Sequence, residues 1–373
     1  MMDILKIMQD LLREMLSRKA SDIHICAGHV PMMRVQGELE PSQFGKPLSP
    51  EETREMAYSL MRESLRMRFE QKMETDFAFS LSSGERFRVN VYTQRGLVNI
   101  ALRSIPADIP VIDTLGIPPV VKKLAEERRG LILVTGTTGC GKSTTLAAMI
   151  DYINATRKAH IMTIEDPIEF LHRNKKSIVN QRELGLDTLS YGDALRNVVR
   201  QDPNVILLGE MRDLETMSAA ITSAQTGHLV LSTVHTTHAI QTVHRIVDMF
   251  PPHQQNQVRL QLAETLKGVI SQRLLPRSDI TGRAPAVEVL VVTPLVKKAI
   301  EENNFAEVYH AIRTGGYYGM QTFNQALLTL YNEGKITVDD ALAASSNPEE
   351  FMLSIRGIEA TSAGAQAFDP QQS

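Results

Sequence analysis

The string Gly136-Thr137-Thr138-Gly139-Cys140-Gly141-Lys142-Ser143 follows directly on the apolar run Leu131-Ile132-Leu133-Val134. A GxxxxGK[ST] loop between a strand and a helix wraps phosphate oxygens with backbone N–H groups. Its lysine reaches the β- and γ-phosphates, and its hydroxyl residue sits on Mg²⁺. Gly136, Thr138, Gly139, Cys140, Gly141, Lys142 and Ser143 are therefore candidates for binding a nucleoside triphosphate, with Ser143 also a metal ligand.

Three further apolar runs end in residues that do chemistry. Ile161–Ile164 is followed by Glu165-Asp166, with Glu169 shortly after; Val205–Leu208 is followed by Gly209-Glu210; Leu229–Leu231 leads to Thr233 and His235. Open α/β sheets bind ligands beyond the carboxyl ends of their strands, so these groups are expected to converge on the nucleotide. Glu210 has the form of a Walker B carboxylate, able to hold Mg²⁺ directly or through water, or to orient the attacking water. Residue types alone leave those roles open among Glu165, Asp166, Glu169 and Glu210. His228 and His235 bracket the fourth run and suit donors facing a γ-phosphate; a zinc site would need a cysteine or carboxylate cluster beside them.

Elements to carry these groups are legible in the apolar pattern. Continuous apolarity suits strands buried on both faces, as in a parallel α/β sheet. Upstream the period differs. Ile7, Met8, Leu11, Leu12, Met15 and Leu16 lie at helical spacing, and read as a packed amphipathic helix, not a signal peptide. Short strands are expected at Ser21–Cys26 and Met32–Val35, and a helix with a capping box opens at Ser49-Pro50-Glu51-Glu52. The alternating runs Phe77/Phe79/Leu81, Phe87/Val89/Val91 and Val98/Ile100/Leu102 predict an antiparallel meander, with Ser82-Ser83-Gly84-Glu85 as a turn and Arg86, Arg88 and Arg103 on its polar face. Those arginines suit either a solvated face or a finger reaching a neighbouring subunit's phosphates.

Four prolines between Pro106 and Pro119 disfavour regular structure and mark a boundary. The expected organisation is an N-terminal α+β domain over 1–105, a linker over 106–119, a P-loop core over 120–292, a helical region over 293–356 and a loose tail over 357–373. The linker is a candidate hinge between the domains.

The 373 residues, 43% hydrophobic and 22% charged, are ample for two or three cores and exclude wholesale disorder. Forty Lys+Arg against 43 Asp+Glu leaves a net charge of −3, so a nucleic-acid coat is not expected. Two cysteines make no disulfide framework, and no apolar run reaches the ~18 residues of a membrane span.

TIEDPIEF (163–170), GEMRD (209–213), TGHLVLSTVHT (226–236) and ASDIHICAGHVPMMRVQGEL (20–39) resemble the secretion-type hexameric ATPases, and among them the type IV pilus retraction ATPases of the PilT and PilU kind. The resemblance implies a PAS-like N-terminal domain and a RecA-like ATPase domain. It implies a cytoplasmic homohexamer acting on an inner-membrane pilus platform protein, ATP and Mg²⁺ as ligands, and a paralogous pilus ATPase as a possible partner. It carries phosphate binding to Gly141, Lys142, Ser143 and Thr144, acidic roles to Glu165, Asp166, Glu169 and Glu210, and γ-phosphate-facing roles to His228 and His235. Arg88, Arg103 and Arg129 fall where that family has arginines reaching an interfacial nucleotide.

Two departures stand out. Thr137 and Cys140 replace the proline and serine of the usual GPTGSGKS, and a thiol at a helix N-terminus is expected to have a lowered pKa. Leu295–Glu302 keeps the amphipathic spacing of the AIRNLIRE signature but not its residues. Assembly and type II secretion ATPases usually carry an extra domain and a four-cysteine insertion, and this chain, with two cysteines, is not expected to be one of them. A nucleic-acid translocase and a nucleotide-gated scaffold are the alternatives from other classes.

Overall fold

A computed structural model describes residues 4–81, 84–105 and 108–356, and the chain divides into two compact units, Met1–Asp108 with Glu169–Leu171, and Ile109–Ile168 with His172–Ser373. The expected tail at 357–373, Ser82-Ser83 of the turn and Pro106 of the linker lie outside the described residues.

In the first unit α1 (Ile4–Ser17) buries Met8, Leu11, Leu12 and Met15, the stripe its spacing foretells. Strands β1 (Asp22–Ile25), β2 (Met32–Val35) and β3 (Glu38–Pro41) precede α2 (Pro50–Leu60) and α3 (Glu63–Lys72). The capping box at the start of α2 is present: Ser49 Oγ accepts from the Glu52 N–H while the Glu52 carboxylate accepts from the Ser49 N–H at 2.7 Å. The meander follows as β4 (Glu74–Ser80), β5 (Arg86–Gln94) and β6 (Leu97–Ile105). Among the described residues these strands form one antiparallel sheet, in the order β3-β2-β1-β6-β5-β4. Phe87, Val89 and Val91 are buried on one face and Arg88 and Arg103 are exposed on the other, as alternation requires.

The register puts an unusual row of charge across that polar face. Arg34, Asp22, Arg103 and Arg88 are successive cross-strand partners on β2, β1, β6 and β5. Like charges directly opposite destabilise a sheet, so Asp22 bears most of the compensation. Arg103 Nε donates to Asp22 Oδ1 at 2.7 Å and Ser21 Oγ to Asp22 Oδ2 at 2.7 Å. Burial pushes the Asp22 carboxyl upward, but the hydrogen bonds from Ser21 and Arg103 outweigh it and hold the group below its ordinary value. A depressed carboxyl stabilises the fold above its unfolded pKa of ~3.9 and loses that contribution as pH falls through the folded value. Asp22→Asn is thus expected to lower the apparent Tm at pH 7 by the equivalent of ~1 kcal/mol or less. The gap to wild type should close as pH is lowered below ~3.9 in calorimetric scans.

The second unit opens with a short 3₁₀ turn at Ile112–Thr114, whose Ile112 packs with Leu115 and Ile117 against this unit's own core. Its elements are α4 (Val120–Ala125), β7 (Gly130–Thr135), α5 (Lys142–Thr156), β8 (His160–Glu165), β9 (Ile178–Glu183), α6 (Tyr191–Val198), β10 (Val205–Leu208), α7 (Leu214–Gln225), β11 (Leu229–Val234), α8 (Ala239–Asp248), α9 (Pro252–Thr265), β12 (Leu266–Pro276) and β13 (Arg283–Val291). The sheet order is β13-β12-β7-β11-β10-β8-β9, parallel except for the antiparallel β12–β13 pair. Every residue of β7, β10 and β11 is buried, the physical basis of their continuous apolarity. The last described elements are helices α10 (Pro294–Glu301), α11 (Phe305–Thr314), α12 (Phe323–Asn332), α13 (Val338–Ala344) and α14 (Pro348–Ile355), with Phe323, Leu327, Leu330 and Phe351 packed on Leu275, Ala284 and Ala286 of the β12–β13 hairpin. No helix among the described residues is long and apolar enough to cross a membrane.

Candidate nucleotide-binding and hydrolytic site

The parallel register gathers the polar ends of four strands. Thr135 pairs with Val234, Leu208 with Ser232, and Leu208 with Ile164, so the residues after β7, β11, β10 and β8 emerge side by side at ~4.8 Å strand spacing.

The phosphate-binding loop leaves β7 at Gly136, whose φ is +138°. A Cβ there would lie 2.5 Å from both the Gln272 carbonyl oxygen and Cys140 Sγ, so no side chain fits. Gly141, at φ +93°, is the N-cap of α5 in the left-handed region. Lys142 is 9% exposed, and its Nζ donates to the carbonyls of Gly136 and Thr137 at 2.9 Å each. Ser143 and Thr144, half-buried, follow in the first turn, where unpaired N–H groups and the helix dipole favour an anion. Thr138 and Gly139 are exposed at the tip. From β12, Gln272 braces the helix by donating from Nε2 to Thr145 Oγ1 at 2.8 Å.

Cys140 departs from expectation. It is 4% exposed, and burial pushes the thiol up, against the smaller lowering effect of Lys142. Its sulfur packs against Gly136 as a small apolar group, and desolvation outweighs the helix N-terminus that was expected to make it a thiolate.

Glu210, 9% exposed, has both carboxylate oxygens engaged. Arg212 Nη2 is 2.6 Å from Oε1 and His235 Nε2 is 3.2 Å from Oε2. The turn that carries Glu210 is pinned to both neighbouring strands: Gly209 N–H donates to the Ile164 carbonyl at 2.8 Å, Met211 N–H to the Thr233 carbonyl at 3.0 Å, and Thr233 Oγ1 to the Gly209 carbonyl at 2.7 Å. Glu165, by contrast, accepts from Thr163 Oγ1 at 2.6 Å and from Gln181 Nε2 at 3.1 Å, which ties it to β9. Asp166 and Glu169 are exposed.

Two participants were not expected. Arg212 pairs with Glu210 from two residues on, and Tyr191, first residue of α6, brings its hydroxyl among the acidic groups. Burial and the charges of Asp166, Glu210 and Glu165 push the Tyr191 hydroxyl far above its ordinary value, so it stays a protonated donor. The GEMRD string held the first signal; nothing local marked the tyrosine.

Other expected residues lie elsewhere. His228 sits at the amino end of β11, its Nδ1 2.9 Å from the Ser223 carbonyl, and the strand between it and His235 spans ~20 Å at 3.3 Å per residue. The structure does not bring His228 to Lys142 or Glu210. Arg129 is exposed at that same amino edge, next to Gly130, whose N–H donates to the His228 carbonyl at 3.0 Å. Arg88 and Arg103 belong to the other unit.

The donor set suits Mg²⁺. Ser143 and Glu210 offer hard oxygens, and Mg²⁺ keeps several waters and takes one or two protein ligands beside phosphates. Among the described residues no cluster of three or more His, Cys, Asp or Glu side chains is suited to caging a metal.

The model of the type II/IV secretion system protein family matches residues 2–342. The chain belongs to that family. It is 46% identical over 332 residues to the type IV pilus retraction ATPase PilT of Pseudomonas aeruginosa, covering 89% of this chain and 96% of that protein. It is 44% identical over 348 residues to the type IV pilus ATPase PilU of the same organism, covering 93% and 91%. The crystal structure of the pilus retraction motor PilT with bound ADP superposes with a TM-score of 0.87 at 50% identity, over 91% of this chain and 97% of that one. This member of the secretion family is therefore an ATP-hydrolysing enzyme with an N-terminal domain, a RecA-like ATPase domain and C-terminal helices.

Proposed function

We propose that this chain is the motor of type IV pilus retraction, a homohexamer that hydrolyses ATP at the pilus base and works on an inner-membrane platform protein from the cytoplasmic side. What carries the reading is the joining, at the carboxyl ends of β7, β10 and β11, of a complete phosphate loop with Glu210 and His235, in a chain similar over nearly its full length to PilT.

In this reading the nucleotide's phosphates replace the Gly136 and Thr137 carbonyls as partners of Lys142, and the α5 N-terminus with Ser143 and Thr144 holds the β-phosphate. Glu210, fixed by Arg212 and His235, accepts a hydrogen bond from the attacking water and aligns it with the γ-phosphorus. His235 donates from Nε2 to that carboxylate and keeps it in place. Ser143 and Glu210 are the residues that would hold Mg²⁺, which when bound would supply positive charge to the phosphates. Arg88 and Arg103, opposite each other on the polar face of the first unit's sheet, suit arginine fingers for a neighbouring subunit's nucleotide. Of the two, Arg103 is also paired with Asp22, while both side chains are exposed on that face.

Similarity to PilU keeps an accessory role within the same system as a second reading. Deleting the gene in its source organism and counting surface pili separates them, with complementation by wild type and Glu210→Ala. Excess immobile pili, cured only by the wild type, is the expected result. Bald cells would assign assembly, and an unchanged count would assign the accessory role.

A further inference from the structure

A second polar cluster lies behind the site, in the same unit. Glu288 of β13 is 5% exposed, deep enough that its charge needs partners. Its Oε1 accepts from the Ala239 N–H, the first of α8, at 2.8 Å, and its Oε2 lies 3.6 Å from His238 Nδ1. His238 is the N-cap of α8 and makes no side-chain cap of its own, so Glu288 serves that helix end from the neighbouring strand β13. On the other edge of the ring, Arg273 Nη2 of β12 is 2.9 Å from His238 Nε2. A guanidinium only donates, so Nε2 is the acceptor and the ring proton sits on Nδ1, facing Glu288. The His238 ring is thereby held in one orientation between Arg273 and Glu288.

The cluster reaches in two directions. Arg273 stacks 4.0 Å from the ring centroid of Phe323 on α12 and donates to the Ala344 carbonyl at the end of α13. Toward the nucleotide end, His238 is three residues from His235, and the segment between them is fastened by Thr236 Oγ1 to Thr242 Oγ1 at 2.7 Å and by the Thr237 N–H to Gln241 Oε1 at 2.9 Å. The neighbour of Arg273 on β12 is Gln272, which braces α5 through Thr145; successive strand residues face opposite ways, so β12 supports the phosphate loop on one face and this cluster on the other.

We propose that Glu288 and Arg273, acting through His238, are positioning residues for ATP hydrolysis: they hold the β11–α8 connection so that His235 stays against Glu210, and they tie that setting to the C-terminal helices. The inference rests on the reading that Glu210 and His235 serve hydrolysis.

Steady-state kinetics and thermal melts of the full chain test it, with Glu288→Gln, Arg273→Lys, His235→Ala and each of the first two combined with His235→Ala. The Glu288→Gln change keeps an acceptor for the Ala239 N–H, and Arg273→Lys keeps the charge without the fork. Each single change is expected to lower kcat by about tenfold to a hundredfold, with KM for ATP held within about twofold. On the His235→Ala background neither should lower kcat further, because a residue acting through His235 has nothing left to position. Losses that multiply in the double variants would overturn the proposal, as would a lowered Tm with unchanged kcat, or a His235→Ala enzyme of wild-type kcat. Absence of turnover in the wild type would overturn the site reading and this inference together, whereas turnover with multiplying losses overturns the inference alone. Should Glu288→Gln not fold, Arg273→Lys decides by the same criteria.

Discussion

Lys142→Ala is expected to reduce ATP turnover by about 10²–10³-fold or more, the scale of removing one preorganised donor from a developing charge, and to weaken nucleotide binding as well. The reasons are local. The ammonium is almost wholly buried between two carbonyl oxygens and is the cation set at the mouth of the α5 N-terminus. A phosphate exchanges a neutral acceptor for an anionic one, which about doubles the strength of each hydrogen bond. An alanine leaves the Gly136 and Thr137 carbonyls facing the phosphates with no charge between them. Phosphate release and titration with a fluorescent ATP analogue measure the two losses, and an alanine variant that still binds at the wild-type concentration would place the phosphates elsewhere.

Glu210→Gln is expected to separate those two quantities. The amide oxygen still accepts from Arg212, and the amide nitrogen still donates to His235 in its other tautomer, so the pinned turn between β10 and α7 survives. The phosphate loop is untouched and binding persists. The acceptor for the attacking water is lost, and kcat should fall by about 10²–10⁴-fold, the usual contribution of a positioned base. Equal loss of binding and turnover would show Glu210 to be a ligand-holding group instead, with the water aligned by another carboxylate.

How much of this was legible beforehand depended on whether a residue's role is written into its own neighbourhood. The phosphate loop was, because glycine at φ +138° and a lysine folding back on its own loop need only eight residues. The buried strands β7, β8, β10 and β11 announced themselves by continuous apolarity, and α1 and the meander by their periods. Strand β3 is exposed along its whole length and α3 buries only Phe69, so neither has an apolar signal to read. Strand β9 alternates irregularly, its place at the sheet edge set by pairing with β8. His228 and His235 flank one strand symmetrically in the sequence, yet a strand has two ends, and only that of His235 lies on the side of the Gly136–Ser143 loop. Tyr191 reaches the acidic cluster through a crossover helix, a relation between distant segments that no local pattern records. The thiol at 140 misleads for the complementary reason: position at a helix N-terminus is visible in the sequence, whereas the burial that raises its pKa is a property of the folded chain.

The resting bonds of Lys142 also bear on ligand choice. Because the ammonium of Lys142 already has two protein partners, an incoming nucleotide competes with the chain itself for it. A phosphate oxygen brings a negative charge that neither neutral carbonyl has, and that charge wins the exchange. Selection for an anionic ligand at this point then needs no wall to shut neutral ones out; it is exercised by an internal rival for the same cation, present in every copy of the protein.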